Sequence, residues 1–459
     1  MASNIHSFVR YPKSGVSILI VGGGIGGLSC AIEAHRKGHN VRLVEKQMDI
    51  NDGGAIIAVP NPAVGVFSNW PGFLDRCHRH AMNPICRMMR GDNTHIKDTP
   101  LAHPEFPAMP INRPALHQLL FDFATEVGVP IEQGRTVSTY FEDEHQAGVV
   151  YDDGTREVAD VVVAADGVGS KARELVVGEY QESIPSGFAC HLATFPAGPA
   201  LENETIRDGF GDFLNGVMFA LGPGAHMAVG RTDEILTWLM VHKDEGSSDD
   251  VFKQVVSASS ASKYVETWAP FYKEIINATP PGKLLLWRLK WRDPQGTYIS
   301  PKGRVVQIGD AAHSFLPTSG AGAGMAIEDA GCLASCLQLS GKSNVPLALK
   351  VHNLFRYERA TCAQKVGFKN REVFHQADWS VEVAPQTGGT FSGKWLTGHK
   401  VEEYVYENYG KAVQHLLVGA PFRNTNSVPG FNFRSWTVRE LLEASERGEV
   451  DTDEGDWYS

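Results

Sequence analysis

The sequence lacks the features that mark membrane, secreted and nucleic-acid-binding proteins. No apolar run reaches the roughly 18 residues needed to span a bilayer, and residues 1–17 contain no apolar core of a signal peptide. The seven cysteines show no paired spacing, which favours a reducing compartment. The net charge of −11 leaves no basic excess for nucleic acid. We therefore expect a cytoplasmic protein with no membrane span and no nucleic-acid partner.

Metal-ligand patterns are also lacking. The one local group of thiols and imidazoles, Cys77, His78, His80 and Cys86, matches no standard zinc spacing, and we expect no metal site. Part of the negative charge is local, because residues 443–459 contain seven acids and one arginine. A tail of this composition is expected to be disordered.

The most informative positive feature is a glycine-rich turn near the N-terminus. An apolar run at 18–21 leads into a G-x-G-x-x-G turn whose glycines are Gly22, Gly24 and Gly27, and Glu45 closes a second apolar run. This order of strand, turn, helix, strand and acid is typical of dinucleotide sites. The first glycine permits the turn, the second admits a pyrophosphate, and the third lets helix and strand pack closely. The acid is placed to bind a ribose, so we predict a tightly bound dinucleotide.

The hydrophobic pattern of the rest of the chain predicts two kinds of region, one of alternating strands and helices and one rich in antiparallel strands. Residues 18–45 are predicted to form a βαβ unit, and further helices are expected at 113–128 and 322–339. Short alternating runs between 187 and 242 predict an antiparallel sheet. The Gly-, Pro- and Asn-rich stretch 51–62 is predicted to be a loop near the cofactor. Nucleotide-binding segments therefore bracket a β-rich insert.

Two more motifs follow predicted buried strands. Asp166-Gly167 ends one strand, and Gly309-Asp310 ends another and is followed by Pro317 and a glycine-rich loop at 320–324. With the first motif, this sequence resembles the FAD-dependent aromatic hydroxylases, which are single-component flavoprotein monooxygenases related to p-hydroxybenzoate and salicylate hydroxylases. The resemblance covers about residues 17–375 and is nearest to fungal monooxygenases of secondary metabolism.

The resemblance implies an α/β fold with a discontinuous, Rossmann-like FAD-binding domain of the GR2 type. An antiparallel β-sheet substrate domain is inserted into it, and a helical segment follows. The implied boundaries are 15–75, 100–180 and 289–376 for the FAD-binding domain, 76–99 and 181–288 for the substrate domain, 377–442 for a C-terminal extension and 443–459 for the acidic tail.

Site residues follow from the same resemblance. The first motif and Glu45 would hold the ADP half of FAD, Arg113 would approach the phosphates, and Asp166 would serve both FAD and the nicotinamide nucleotide. Asp310 would bind the ribitol, and Pro317 would lie against the isoalloxazine with the glycine-rich loop. Because that loop opens a helix, its free N–H groups suit the negative charge of reduced flavin. The predicted cofactor-binding residues are Gly22, Gly24, Ile25, Gly26, Gly27, Glu45, Lys46, Ala58, Arg113, Asp166, Gly309, Asp310, Pro317, Gly322 and Ala323.

The implied reaction uses NADPH or NADH and molecular oxygen. A flavin hydroperoxide would hydroxylate or epoxidise a small aromatic substrate, with an indole alkaloid as the first choice and a phenol as the second. The protein would act as a monomer or homodimer. The alternative is a flavoprotein oxidase, dehydrogenase or redox-neutral cyclase on the same fold without oxygen insertion.

One segment departs from the family pattern. Related hydroxylases often carry an aromatic–Arg pair early in the insert, where this chain has His191-Leu192. Leucine cannot replace a guanidinium, so either Arg207 or Arg231 supplies the cation or the substrate needs none. His191 is a candidate acid or base. The predicted catalytic residues are thus Arg207, Arg231 and His191.

Overall fold

The hydrophobic pattern folds into strands and helices in the order that the sequence predicts. The computed structural model describes residues 8–49, 53–178, 183–246, 253–376, 392–447 and 453–459. Its strands are β1 Ser17–Val21, β2 Asn40–Glu45, β3 Ile56–Val59, β4 Ile85–Arg90, β5 His95–Pro100, β6 Met109–Asn112, β7 Ile131–Gln133, β8 Val137–Glu142, β9 Ala147–Tyr151, β10 Arg156–Ala159, β11 Val161–Ala164, β12 Ile184–Pro196, β13 Gly216–Gly222, β14 Ala225–Arg231, β15 Ile235–Lys243, β16 Lys253–Val255, β17 Leu285–Trp291 and β18 Val305–Gln307.

The helices pack around two of the sheets. They are α1 Ile25–Arg36, α2 Asn61–Phe67, α3 Phe73–His78, α4 Arg113–Glu126, α5 Ala172–Val177, α6 Ala197–Leu201, α7 Glu204–Phe210, α8 Ala258–Ser262, α9 Pro270–Asn277, α10 Gly322–Ser340, α11 Val345–Gln376, α12 Lys394–Thr397, α13 Val401–Val418 and α14 Val438–Glu446. No described helix is long and apolar enough to cross a membrane.

A parallel sheet carries the cofactor motifs. Its order is β18-β11-β1-β2-β7, and every neighbouring pair runs parallel. Strand β1 is apolar on both faces because both are covered. Ile18 and Ile20 pack in the core formed with α1 and α10, whereas Leu19 and Val21 pack against the small β8–β10 sheet. The three motifs therefore meet at the carboxyl edge of one sheet.

An eight-stranded sheet forms the second layer, in the order β16-β17-β12-β15-β14-β13-β4-β5. All its pairs are antiparallel except β13 with β4. Side chains alternate along β12: Ala193 and Phe195 pack in the core under α6–α9, and Cys190 and Leu192 face the other way, towards Leu316. The predicted fold class, a parallel cofactor-binding sheet with an antiparallel insert and C-terminal helices, is confirmed.

Two local predictions are wrong. Ile56–Val59, within the stretch 51–62 predicted as a loop, pairs antiparallel with Met109–Asn112; residues 51 and 52 lie outside the described part. The tail is also ordered where it is described, because Trp457 is 5% exposed and Asp453 forms ion pairs with Lys365 and Arg434. Tertiary partners thus override a composition that favours disorder.

Candidate functional site

A cavity of about 510 Å³ lies between the carboxyl edge of the parallel sheet and the face of the eight-stranded sheet that carries Cys190 and Leu192. Residues of all three sequence motifs line it. The predicted cofactor residues among its walls are Gly24, Ile25, Gly26, Ala58, Arg113, Gly309, Asp310, Pro317, Gly322 and Ala323.

The glycine-rich turn has the shape that a bound pyrophosphate requires. Gly22 has a φ of +107°, and a Cβ on it would lie 2.3 Å from the Ala165 carbonyl oxygen. A Cβ on Gly27 would lie 1.9 Å from the Gly22 oxygen, whereas a Cβ on Gly24 would meet no atom within 4 Å. Gly24 therefore borders open space at the start of α1, where no side chain caps the helix. Unsatisfied N–H groups and the helix dipole favour an anion there.

Glu45 is held beside this turn. Its Oε2 accepts a hydrogen bond from the Gly23 N–H at 2.5 Å, and its Oε1 accepts one from the Gln47 N–H at 2.8 Å. Each carboxylate oxygen retains a further lone pair, so the group can also accept a ribose hydroxyl. The neighbouring Lys46 is exposed and does not line the cavity among the described residues.

Helix α4 brings a cation to the cavity. Asn112 caps the helix by accepting from the Ala115 N–H at 3.4 Å, and Arg113 follows as its first residue. The Arg113 Nη1 donates to the Gly53 carbonyl at 2.8 Å, and Arg113 lines the cavity together with Gly24 and Gly26. One turn later, His117 Nε2 lies 2.6 Å from the Gly23 carbonyl. Sequence reasoning missed His117, although its i,i+4 spacing from Arg113 places both on one helix face.

Asp310 presents a carboxylate to the cavity. It sits in a 3-10 turn at Gly309–Ala311, is exposed to the open volume and lines it with Arg113. The surrounding protein raises its pKa through desolvation, against the lowering effect of His313 and Arg113. Its carboxylate oxygens face the cavity, where they can accept hydrogen bonds from the hydroxyl groups of a polyol such as ribitol.

Asp166 lies just behind the cavity wall formed by Ala165 and Gly167. Its Oδ2 accepts from the Tyr140 hydroxyl at 2.8 Å and the Lys171 N–H at 3.2 Å. Burial raises its pKa, and its Oδ1 is buried without a hydrogen-bond partner among the described residues. An orphaned acceptor beside the turn fits a hydroxyl-bearing cofactor.

A buried network of charges holds the turn at Gly309–Ala311 that carries Asp310, which we call the cofactor loop. Asp329 accepts from the Gly309 N–H at 2.9 Å, from His313 Nε2 at 2.7 Å and from Arg356 Nε at 2.7 Å. The adjacent Glu328 accepts from Arg356 Nη1 at 2.6 Å. Burial alone would raise the pKa of each carboxyl group. The neighbouring cationic groups have the larger combined effect, so the pKa of each lies below its ordinary value, and that of Glu328 is lowered to about 2. Sequence analysis did not identify this pair, which stands four and five residues beyond the glycine-rich loop at 320–324.

The other half of the cavity is apolar. Leu192 lines it, as does the imidazole of His226, whose ring centroid lies 5.3 Å from that of Phe219 and 5.4 Å from that of Phe374. None of the described residues in this half is an Asp, Glu, Lys or Arg. The set is Leu101, Ala102, Cys190, Leu192, Val217, Phe219, His226, Ala228, Leu239, Trp287, Phe315, Phe374, Ser392, Leu396 and Thr397.

His191 does not reach the cavity. Strand alternation turns it to the opposite face of the sheet from Leu192, where its Nδ1 lies 2.8 Å from His242 Nε2 and its Nε2 lies 3.0 Å from Ser260 Oγ. Burial, with the charges of His242 and Lys263, lowers its pKa to about 3. The structure therefore argues against the predicted acid–base role.

Neither candidate arginine reaches the cavity. Arg207 is half-exposed on α7, where its Nη2 lies 3.7 Å from Glu204 Oε1. Arg231 is buried, with its guanidinium 5.0 Å from the centroid of the Phe210 ring and its Nη1 donating to the Phe213 carbonyl at 3.4 Å. Arg207 lies in the helical layer behind the sheet, and Arg231, the last residue of β14, packs its side chain against that layer. The prediction that either arginine supplies the missing substrate-side cation is therefore corrected.

The Asp310→Asn variant is expected to bind FAD at least about tenfold more weakly, because a hydrogen bond to a charged acceptor contributes roughly 1.5–3 kcal/mol. Fluorescence titration of apoprotein with FAD measures this. Asp208→Asn, on the exposed side of α7, is the matched control and should leave the affinity unchanged. Equal affinities in the two variants would contradict the assigned role of Asp310.

Comparison with known proteins gives the site its context. The sequence model of the FAD binding domain family matches residues 15–265 and 289–353. An FAD-dependent monooxygenase of Cryptosporiopsis sp. is 34% identical over 98% of this chain and 91% of its own length. Notoamide E oxidase of Aspergillus versicolor is 32% identical over 91% of this chain and 95% of its own.

A solved structure supports the same assignment. The crystal structure of CtdE in complex with FAD and a substrate matches this fold with a TM-score of 0.81 and 27% identity, over 87% of this chain and 99% of that one. The glycine-rich turn, the orphaned Asp166 oxygen and the open Asp310 carboxylate all fit FAD. The chain therefore belongs to the FAD binding domain family and, within it, to the FAD-dependent monooxygenases.

Proposed function

We propose that this protein consumes NAD(P)H to transfer one atom of O₂ to an uncharged aromatic small molecule, an indole alkaloid or a phenol, in fungal secondary metabolism. The balanced reaction converts substrate, O₂, NAD(P)H and a proton into hydroxylated or epoxidised product, water and NAD(P)⁺. The relative named for the oxidation of notoamide E and the fungal sources of the curated relatives support this class of substrate.

The observation that carries the proposal is the absence of charged side chains from the described walls of the substrate half. Leu192 stands there instead of a guanidinium. Burying an unpaired carboxylate of a substrate against these walls would cost several kcal/mol, so the cavity favours uncharged rings. Phe219, Phe374 and Trp287 offer aromatic faces, and the His226 imidazole is a polar group able to orient an N–H or O–H of the substrate.

FAD, when bound, supplies the redox and oxygen-activating chemistry. The protein's own contribution is to position and to shield. The uncapped start of α10 at Gly322 lines the cavity, and its N–H groups and positive dipole would stabilise negative charge on a flavin bound there. The apolar walls around Leu192 and Leu239 exclude water from the reacting atoms.

Turnover under ¹⁸O₂ with NADPH or NADH, using indole and 2-naphthol as probes, tests the reaction. We expect one ¹⁸O atom in the product and consumption of the reduced nucleotide that depends on the probe. Hydrogen peroxide formed in proportion to O₂ uptake, with an oxidised but unlabelled probe and no consumption of NAD(P)H, would instead indicate an oxidase. A product that forms without NAD(P)H or O₂ would indicate a redox-neutral cyclase.

Charge selectivity is a separate expected result. The KM for 3-hydroxy-2-naphthoate should exceed that for 2-naphthol by roughly 100-fold, because the added carboxylate loses its hydration without gaining a cationic partner. The Leu192→Arg variant should reduce this ratio, and Leu192→Met should retain it. A native enzyme that prefers the carboxylated probe would contradict the assignment of an uncharged substrate.

A further inference from the structure

Helix α11 carries an arginine, Arg359, whose five N–H groups all have partners. Nη1 donates to the carbonyls of Trp395 and Asn426 at 2.7 Å each, and Nη2 donates to the Leu396 carbonyl at 2.9 Å. Nε and Nη2 donate to the two oxygens of Glu328 at 2.7 and 2.9 Å. The side chain is fully buried. A planar guanidinium satisfied on every edge fixes the relative position of the groups it binds.

The three carbonyls belong to the chain that follows the shared family domain. The family match ends at residue 353, whereas Arg359 binds the main chain at 395–396 and 426. Within the first of these segments, Ser392, Leu396 and Thr397 line the cavity. The part of the chain outside the shared domain therefore supplies a wall of the substrate half.

Arg356 and Arg359 divide the buried network into two branches. Arg356 binds Asp329, which holds the Gly309 N–H of the cofactor loop. Arg359 binds the C-terminal segment, and the two arginines share one oxygen of Glu328. One branch thus supports the cofactor loop and the other supports the substrate wall.

From these contacts we infer that residues 392–397 form a substrate-recognition wall and that Arg359 is the positioning residue that holds this wall against the cofactor loop. The inference rests on the proposed function of the cavity. The wall discriminates substrates through Leu396 and the hydroxyl groups of Ser392 and Thr397, and Arg359 fixes its position relative to the turn at Gly309.

The Arg359→Lys variant tests the positioning role, because an ammonium keeps the charge but cannot reach a carboxylate and three separate carbonyls in one plane. Hydrogen exchange of the holoenzyme should be faster at amides 393–398 and 424–427, while FAD affinity stays within about twofold of native. The matched variant Arg356→Lys should show the reverse, with weaker FAD binding and little change at 393–398. Unchanged exchange in Arg359→Lys would overturn the positioning role.

Leu396→Ala tests the wall without touching the network and serves if the arginine variants do not fold. We expect the KM for 2-naphthol, or its dissociation constant from the perturbed flavin spectrum, to rise about tenfold with FAD affinity unchanged. Unaltered probe binding in Leu396→Ala would overturn the recognition role. If native enzyme binds no aromatic probe although exchange responds to Arg359→Lys, the proposed function fails while the positioning role stands.

Discussion

Replacing Gly27 with alanine is expected to abolish FAD binding and to lower the free energy of unfolding by about 3 kcal/mol or more. The new Cβ would lie 1.9 Å from the Gly22 carbonyl oxygen and 3.2 Å from the Ala165 Cβ. Neither neighbour can yield, because the first is backbone in the tight turn and the second closes the adjacent strand. Overpacking of a core usually costs about 1–3 kcal/mol of folding free energy. Because the clash here is with backbone, which cannot move aside, we expect a cost of about 3 kcal/mol or more. Urea unfolding of apoprotein and FAD titration measure the two effects.

Gly24→Ala separates cofactor binding from folding. Its backbone, at φ −72° and ψ −179°, suits alanine, and no atom lies within 4 Å of the added methyl. Stability should therefore stay near native, while the methyl occupies the space needed by the pyrophosphate and weakens FAD binding by at least about tenfold. The exposed Gly65→Ala in α2, where the methyl also meets no atom, should stabilise the protein by about 0.5–1 kcal/mol. A Gly27→Ala protein that binds FAD normally would contradict the proposed geometry of the turn.

The cofactor half of the site could be predicted from sequence because its determinants are local. A strand, a turn and a helix within thirty residues fix where Gly22, Gly24 and Gly27 lie, and each glycine has one steric reason for its position. Asp310 likewise follows directly from a buried strand. In each of these motifs, residues close together in the sequence determine where the cofactor-binding residues lie.

The substrate half could not be predicted in the same way. Sequence reasoning found the correct segment of β12, but the alternation of a strand fixes only that His191 and Leu192 face opposite sides. Which side meets the cavity depends on the pairing of β12 with β15 and β17. The prediction for Arg207 and Arg231 rests on their charge alone, and charge does not determine which side of a sheet a residue occupies.

Contacts between residues far apart in the sequence explain the remaining differences between the prediction and the structure. Trp457 is buried beside Trp395, and Asp453 pairs with Lys365 across 88 residues, so the acidic composition did not indicate the packing of residues 453–459. Glu328 stands beside the glycine-rich loop in sequence, but its arginine partners lie a helix away. No local pattern marks such contacts.

Replacing Glu328 with alanine is expected to lower the free energy of unfolding by about 3–5 kcal/mol. The substitution removes the carboxylate that both Arg356 and Arg359 bind. Asp329 is then the one carboxylate left in the described network for two buried guanidinium groups. A buried charge without a compensating partner lowers the free energy of unfolding strongly. Glu132→Ala is the matched control, since Glu132 pairs with Arg42 at the surface with 43% of its side chain exposed. That variant should lose no more than about 1 kcal/mol. Equal losses in urea unfolding would contradict a stabilising role for the buried pair.

The same carboxylate predicts how stability depends on pH. The folded-state pKa of Glu328 is about 2 against an ordinary value of 4.5, so folding favours its ionised form. Its contribution is complete above pH 4.5, amounts to about 3 kcal/mol, and is lost as the pH falls towards 2. Glu328→Gln should therefore be less stable than native protein at pH 7, and the difference should close between pH 5 and 2. If native protein and Glu328→Gln lose stability in parallel over that interval, acid sensitivity arises from other carboxylates and the Glu328 ion pairs do not contribute to it.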